Sequence, residues 1–264
     1  MDIIVCMKQV PDTESKIKVN SEGTGIVTEG LKWVMNPYDE YAVEEALKIK
    51  EKLGGTVTIL CLGPDRATEA IRTALAMGAD EAVHLNDPAF EGSDSFTTAK
   101  ILAHAIKQMK YDLILAGKQA VDMDASQVFG SLAELLGLPY VSVVVGLEIS
   151  SDGKTATAKR ETEGGVEEVI ETPLPAVIAA QKGLNEPRYA SLPNIMKAKR
   201  KEIKKLDLAA LGLTADEVGE KSSKLKTKNF RLPPERQAGK RIEGEPAETA
   251  AQLAKLLREE AKLI

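Results

Sequence analysis

The stretch Gly117-Lys118-Gln119-Ala120-Val121-Asp122-Met123-Asp124-Ala125-Ser126-Gln127 is the richest part of the chain in residues that could do chemistry. An apolar run ends at Gly117, a polar loop follows, and Ser126-Gln127-Val128 opens a helical pattern. Free backbone amides and the positive end of a helix dipole favour a phosphate at such a junction, and Lys118 adds charge. The same residues also read as plain helix capping by Asp124 or Ser126, with a loop that binds nothing. The pattern alone does not choose between the two. Asp122 and Asp124 carry the oxygen ligands that Mg²⁺ takes, but two carboxylates two positions apart are commonly turn residues, so no metal site is expected.

Three further strand ends feed turns or helices: Cys6-Met7-Lys8, Asn36-Pro37-Tyr38 and Leu62-Gly63-Pro64. In an open α/β sheet, ligands sit beyond the carboxyl ends of the strands. Asp39 and Glu40 at the second of these would repel phosphate, so that end suits an uncharged adenosine edge. The chain has no G-x-G-x-x-G after its first strand and no G-x-x-x-x-G-K-[ST], which argues against an ordinary Rossmann or P-loop site. It has no G-x-S-x-G, no H-E-x-x-H and no Cys/His cluster. No nucleophile–base pair is legible, and no catalytic residue is expected. Cys6 and Cys61 lie in apolar runs and read as buried, reduced thiols of a cytoplasmic protein. His84 and His104 lack ligand spacing and read as structural or solvated.

The elements that must position these residues alternate. Apolar runs at 3–7, 56–62, 82–85 and 113–116 read as strands. Residues 16–19 and 25–28, joined by Asn20-Ser21-Glu22-Gly23, read as a small hairpin. A helix is capped by Asn36, has Pro37 in its first position, carries Ala42, Ala46, Ile49 and Leu53 at helical spacing, and stops at Gly54-Gly55. Asp65 is expected to cap a second helix ended by Gly78; others are expected over 95–109 and 126–136. Strands separated by helices imply parallel pairing with helices on both faces. After Pro139 come four β-type runs, 142–149, 155–161, 166–172 and 176–180, which extend the sheet edge or form a small added sheet. Residues 221–245 are polar and without period, an arm. Leu253, Leu257 and Ala261 then mark an amphipathic terminal helix, which needs something to bury against.

Composition is that of an ordinary globular chain, 43% hydrophobic and 28% charged over 264 residues. The apolar runs are too short to cross a bilayer, and the first residues read as a strand rather than a signal peptide. The net charge of −5 does not suit nucleic acid. Basic residues nevertheless cluster, six Lys/Arg against one Glu in 197–205 and eight against one in 221–241. Without interleaved aromatics such tracts indicate a solvated segment or an acidic partner, not RNA.

Five blocks resemble the electron transfer flavoprotein beta family. They are Val5-Cys6-Met7-Lys8-Gln9-Val10-Pro11-Asp12, Met35-Asn36-Pro37-Tyr38-Asp39-Glu40-Tyr41-Ala42-Val43-Glu44-Glu45-Ala46, Ile71-Arg72-Thr73-Ala74-Leu75-Ala76-Met77-Gly78-Ala79-Asp80, Gly117-Lys118-Gln119-Ala120-Val121-Asp122, and Leu184-Asn185-Glu186-Pro187-Arg188-Tyr189-Ala190-Ser191-Leu192-Pro193-Asn194-Ile195-Met196-Lys197-Ala198-Lys199. The resemblance implies an open, mostly parallel α/β fold of adenine-nucleotide-binding type over 1–220, including a partner-docking loop at 184–200. It implies a C-terminal arm and helix over 221–264 that packs on an alpha subunit. That subunit would hold most of one FAD, and the heterodimer would be a soluble electron carrier rather than an enzyme. By position, Cys6, Asn36, Pro37, Tyr38, Asp39, Leu62 and the loop from Gly117 to Val128 would line a second nucleotide site. AMP occupies that site in the standard shuttles and FAD in the electron-bifurcating ones.

The block at 184–199 resembles the loop that docks on acyl-CoA dehydrogenases of fatty acid oxidation. Leu192 would be its anchor, in an extended backbone ahead of Pro193, with Pro193, Ile195, Met196, Lys197 and Arg200 around it. A flavoprotein–quinone oxidoreductase is the implied acceptor. Glu161, in Arg160-Glu161-Thr162-Glu163-Gly164-Gly165, matches a Glu that pairs with an alpha-subunit Arg as an inter-subunit latch. The sequence Asp122-Met123-Asp124-Ala125-Ser126-Gln127-Val128 falls between the AMP-type and bifurcating patterns, while the docking block favours the AMP type. A nucleotide-binding regulatory protein of universal-stress type, sharing only the fold, is the alternative from another class.

Overall fold

The computed structural model describes residues 1–235 and 238–264; Arg236, within the basic run at 221–241, and Gln237 lie outside the described residues. By internal packing these residues form two units, Met1–Ile17 with Val27–Lys228, and Lys18–Ile26 with Asn229–Ile264.

The first unit alternates strand and helix through β1 (Asp2–Met7), β2 (Gln9–Pro11), β3 (Trp33–Met35), α1 (Pro37–Leu53), β4 (Thr56–Leu62), α2 (Thr68–Met77), β5 (Glu81–Leu85), α3 (Ser95–Ile106), β6 (Leu113–Gly117) and α4 (Val128–Leu136). The β-rich part follows: β7 (Tyr140–Ile149), β8 (Thr155–Glu161), β9 (Glu167–Pro173) and β10 (Val177–Ala180). Then come α5 (Leu192–Arg200), β11 (Lys204–Leu206) and the short α6 (Gly219–Ser222). Among the described residues the strands build a nine-stranded sheet, ordered β11-β5-β4-β1-β6-β10-β7-β8-β9, and a two-stranded ribbon of β2 and β3. From β11 to β7 every neighbouring pair is parallel; β8 runs antiparallel to β7 and β9 to β8.

The period of two along β1 divides the core. Ile3, Val5 and Met7 point to one face, where α1 and α2 bury Ala42, Val43, Ala46, Ile71, Ala74 and Leu75. Ile4 and Cys6 point to the other, where α3 and α4 bury Ala99, Leu102, Ile106 and Leu132. The fold is therefore an α/β sheet covered on both faces. The four late β-runs extend this sheet, and β10 enters its middle between β6 and β7.

Several local expectations are corrected. Residues 16–28 form no hairpin of strands, only one antiparallel bridge, Val19 to Ile26; Gly25 beside that bridge has no side chain to pack, which weakens a strand there. Asp65 does not cap α2. It opens a 3₁₀ turn, Asp65–Ala67, and its carboxylate accepts from Lys205 Nζ at 2.8 Å. The third helix closes at Ile106, because Gln108 and Met109 bond three residues back and tighten the chain into turns. Leu192 is not extended: it is the first residue of α5, where Ser191 caps the helix and Pro193 lies in its first turn.

In the second unit the turn at 20–25 closes on itself, Asn20 Oδ1 accepting from the Thr24 amide at 2.9 Å, and Phe230 donates its amide to Gly23 O at 2.9 Å. The helix α7 (Pro246–Glu259) ends this unit with no residue fully buried. Leu253, Leu256 and Leu257 form an apolar groove with Ile242, over which Lys240 pairs with Glu260 at 2.5 Å.

Candidate functional site

The winding of the sheet reverses at β1. From it the chain steps through α1 and α2 to β4 and β5, then returns through α3 to β6 on the other side. Such a switch point opens a crevice beyond the carboxyl ends of the two central strands. A cavity of about 360 Å³ lies there, within the first unit. Its floor is apolar, formed by Cys6, Met7, Leu62, Leu102, Val128 and Phe129. Its rim is the loop after β6, with Lys8 on one side and the start of α3 (Ser93, Asp94, Ser95, Thr98) on the other.

Two buried polar residues of the α1 entry set the shape of this crevice. Asn36 stands where a helix cap is expected but caps nothing with its side chain. Instead its Nδ2 donates to Gln119 O at 2.9 Å and its Oδ1 accepts from the Val121 amide at 3.1 Å, so one side chain fixes the β6 loop from 83 to 85 residues away. Asp39 accepts from the Lys8 amide at 2.7 Å and from the Gly117 amide at 3.0 Å, joining the ends of β1 and β6. Burial pushes its carboxyl up to about 7, against the pull of those two amides, the Asn36 side chain and the Lys8 charge. Asp39 is thus a buried part of the crevice wall, its carboxylate taken up by the Lys8 and Gly117 amides. Burial also raises the Cys6 thiol, and pushes that of Cys61 up to about 12, with the charge of Asp39 adding to both. Both cysteines are free and buried.

Gly117 is where β6 passes α1. A Cβ there would stand 2.5 Å from Asp39 Oδ1, 2.6 Å from Tyr38 Cβ and 2.7 Å from the Tyr38 carbonyl carbon. Beyond it the loop is held by Gln119, which donates through Nε2 to Asp124 at 2.7 Å and accepts from Ser126 Oγ at 3.0 Å. Asp124 and Ser126 have φ of 50° and 52°, so neither can continue a helix, and α4 begins at Val128 rather than at Ser126. Neither caps α4 by its side chain, which removes the plain-capping reading of this loop. Among the described residues the amides of Val128, Phe129 and Gly130 donate to no protein acceptor, the first helical bond of α4 running from Ser131 to Gln127. Lys8 Nζ reaches Asp122 at 2.7 Å across the mouth, and Lys118 Nζ lies 5.2 Å from the centre of the Tyr38 ring. The arrangement offers an apolar slot for a flat ring, free helix amides and two lysines for an anion.

A second surface lies on α5. Its Ala198 is buried, while Tyr189, Leu192 and Met196 are 100%, 78% and 54% exposed. Ile195 is exposed beside them, and Pro193, Lys197, Lys199 and Arg200 are exposed around them. The segment leading into α5 is pinned to α1. Arg188 donates to Glu44 at 2.9 and 3.0 Å and to Glu51 at 2.6 and 3.2 Å, and Asn185 donates to Glu45 at 2.9 Å. The two carboxylates raise the Arg188 guanidinium above its ordinary value.

The family model of the electron transfer flavoprotein domain matches residues 24–211. The chain is 46% identical over 265 residues, all of both chains, to the electron transfer flavoprotein subunit beta of Bacillus subtilis. It is 41% identical to that of Bos taurus, covering 91% of this chain and 92% of the relative, and 40% identical to that of Thermoanaerobacterium thermosaccharolyticum, covering 97% and 98%. The chain belongs to the electron transfer flavoprotein beta-subunit family.

The residues read from the sequence divide by place. Cys6, Asn36, Asp39, Leu62, Lys118, Gln119, Ala120, Asp122, Met123, Ala125, Ser126, Gln127 and Val128 meet at the crevice. Pro37, Tyr38, Gly117, Val121 and Asp124 do not line it, and Asp124 is exposed on the loop. Sequence reasoning missed the α3 wall at Ser93, Asp94, Ser95 and Thr98, although Gly92-Ser93-Asp94-Ser95 is itself a strand-to-helix junction of the kind it was following. Asp94 caps α3 at the Thr97 amide, 2.8 Å, and also accepts from the amides of Lys224 and Leu225 at 2.7 and 3.1 Å. Burial raises its carboxyl, and these amides together outweigh that and lower it. Glu161 stands exposed at the end of β8, with Gln181 Nε2 at 3.3 Å. Among the described residues no helix is long and apolar enough to cross a membrane.

Proposed function

We propose that this chain is the beta half of a heterodimeric electron carrier and that its own crevice holds AMP. The observation that carries the nucleotide assignment is the cavity at the β1/β6 switch point, apolar below and rimmed by the amides that open α4. Its volume of about 360 Å³ lies near the small end of the roughly 300–1,000 Å³ usual for ligand sites, which favours a mononucleotide over a second FAD. Lys8, Lys118 and the amides at 128–130 would meet the phosphate, and Cys6, Leu62 and Phe129 the ring. AMP does no redox chemistry; this chain's residues bind it and let it brace the β6 loop.

The redox chemistry belongs to one FAD, held mainly by an alpha subunit. The contribution of this chain is assembly and docking. The arm and α7, within 221–264, would bury the groove of Leu253, Leu256 and Leu257 against that subunit. Leu192, 78% exposed, would enter a pocket on an acyl-CoA dehydrogenase, with the lysines of α5 facing acidic partner surface. Electrons would pass on to a flavoprotein–quinone oxidoreductase or another acceptor, in the cytoplasm.

The loop at 122–128, intermediate between two family patterns, favours a second reading: an electron-bifurcating form with its own FAD. The test is to purify the heterodimer, denature it and quantify the released nucleotides. One FAD and one AMP per dimer are expected. Two FAD would replace the shuttle by the bifurcating reading, and no flavin in any partnered preparation would overturn both.

A further inference from the structure

The block Ile71-Arg72-Thr73-Ala74-Leu75-Ala76-Met77-Gly78-Ala79-Asp80 belongs neither to the crevice nor to the exposed face of α5. Its apolar members fill the core: Ile71, Ala74 and Leu75 are buried between α2 and the sheet. Arg72 has another task. Only partly buried, it directs Nη1 to the main-chain carbonyls of Ala198 and Lys201. These close the last turn of α5, where a helix cannot satisfy its own acceptors, and a cation there also meets the negative end of the helix dipole. The tie is reciprocal, since Lys201 Nζ donates to Ala79 O at 2.5 Å and Asp80 O at 3.2 Å, in the turn that follows α2.

A nine-residue helix is too short to hold itself in water. Of α5 only Ala198 is buried, so packing alone anchors it weakly. Its approach is clamped by Arg188 on Glu44 and Glu51; its exit is clamped by Arg72.

We propose that Arg72 is the positioning residue of the docking helix. It fixes the last turn of α5 and thereby the direction in which Leu192, Ile195 and Met196 are presented, without touching the partner. Holding a contact surface in its bound shape lowers the ordering cost of each encounter, so Arg72 acts on partner affinity rather than on electron transfer within the complex. This rests on the docking reading of α5 given above.

The test uses the heterodimer with its FAD, and an acyl-CoA dehydrogenase with acyl substrate as the electron source. Flavin reduction is followed against dehydrogenase concentration for Arg72→Met, Arg72→Lys and Leu192→Ala. For Arg72→Met the half-saturating concentration is expected to rise about three- to tenfold, a range of roughly 0.7–1.4 kcal/mol. The limiting rate and flavin content should hold, and amide exchange over 194–201 should accelerate. Arg72→Lys should recover most of the affinity. A rise with Leu192→Ala but none with Arg72→Met would overturn the positioning role and leave docking standing. No rise with Leu192→Ala would remove the docking surface and this role with it. If Arg72→Met does not assemble, Arg72→Gln is read the same way: a smaller rise supports the role, and an unchanged value overturns it.

Discussion

The crevice and the docking helix are built by opposite rules. At the crevice, polar side chains are buried and spend their hydrogen bonds on distant main chain: Asn36 on residues 119 and 121, Asp39 on residues 8 and 117. On α5, the side chains assigned to function are exposed, and the polar ties lie behind them at the two ends of the segment. The first arrangement suits a ligand held for long, since Asn36 and Asp39 each fix two distant stretches of the wall. The second suits a partner met briefly, with a fixed support under a face that makes few contacts of its own. Damage should therefore spread from the crevice to the fold, but stay local on α5.

The largest break in that contrast should come from Gly117→Ala. The added methyl would overlap Asp39 Oδ1 and the main chain of Tyr38 at 2.5–2.7 Å, and main chain cannot swing aside. Overpacking of this kind costs about 1–3 kcal/mol, and more where backbone must shift. A fall in melting temperature together with loss of bound nucleotide is expected. Unchanged melting and full nucleotide content would show that the wall yields, and the picture of a fixed wall would go with it.

Second in size is a pH effect at Asp39. Its folded value, pushed up to about 7 by burial, lies above the ordinary carboxylate value of 3.8. A group raised in the fold stabilises fully below its unfolded value, and that stability is lost as pH rises through the folded one. Stability should thus decline from about pH 4 to about pH 7 and level off above, by on the order of a few kcal/mol at most. Lys8, Cys6 and Cys61 are the ionisable neighbours coupled to it. Denaturant midpoints measured across that range, for the native chain and Asp39→Asn, check this; the same slope in both would assign it elsewhere.

How much of this contrast the sequence announces follows from the range of the interactions. The βα units up to β6 are legible because each apolar run lies wholly inside the sheet and each helix carries its own periodic face. The insertion of β10 between β6 and β7 is not, since strand order is a matter of long-range pairing. Asn36 stands where a cap belongs, yet its side chain reaches a loop 83 residues on, and no local pattern carries that. Leu192 reads as extended because a residue before proline is biased to extended backbone. The Ser191 cap overrides that bias by accepting from Asn194, at 3.4 Å.

Third comes Leu192→Ala, which tests the local side of the contrast. Burying a leucine in a partner pocket is worth about 1.5–3 kcal/mol, so dehydrogenase-driven reduction should need roughly tenfold or more dehydrogenase. Flavin spectrum, nucleotide content and melting temperature should not move. Normal reduction would take the docking assignment away. Slow reduction with flavin loss would make Leu192 a packing residue, and α5 would then follow the crevice's rule.

The smallest effect is expected at Glu161, which belongs to neither region. It ends β8 beside Glu167 of β9, exposed, and among the described residues its carboxylate accepts only from Gln181, at 3.3 Å. That leaves acceptor capacity for an arginine of the alpha subunit, and an exposed pair of this kind is worth only ~0–1 kcal/mol. So weak a contact cannot hold a heterodimer together, but as the proposed latch it would bias two arrangements of similar energy, since a shift of ~1 kcal/mol changes their ratio about fivefold. Glu161→Ala should therefore leave assembly, FAD and AMP content intact while changing the solution scattering profile or the electron-transfer rate. Because the pair would be solvent-exposed, raising the ionic strength of the native heterodimer should reproduce part of the change, and the variant should respond less to salt. Identical scattering, identical rates and an identical salt response would leave Glu161 a solvated strand end.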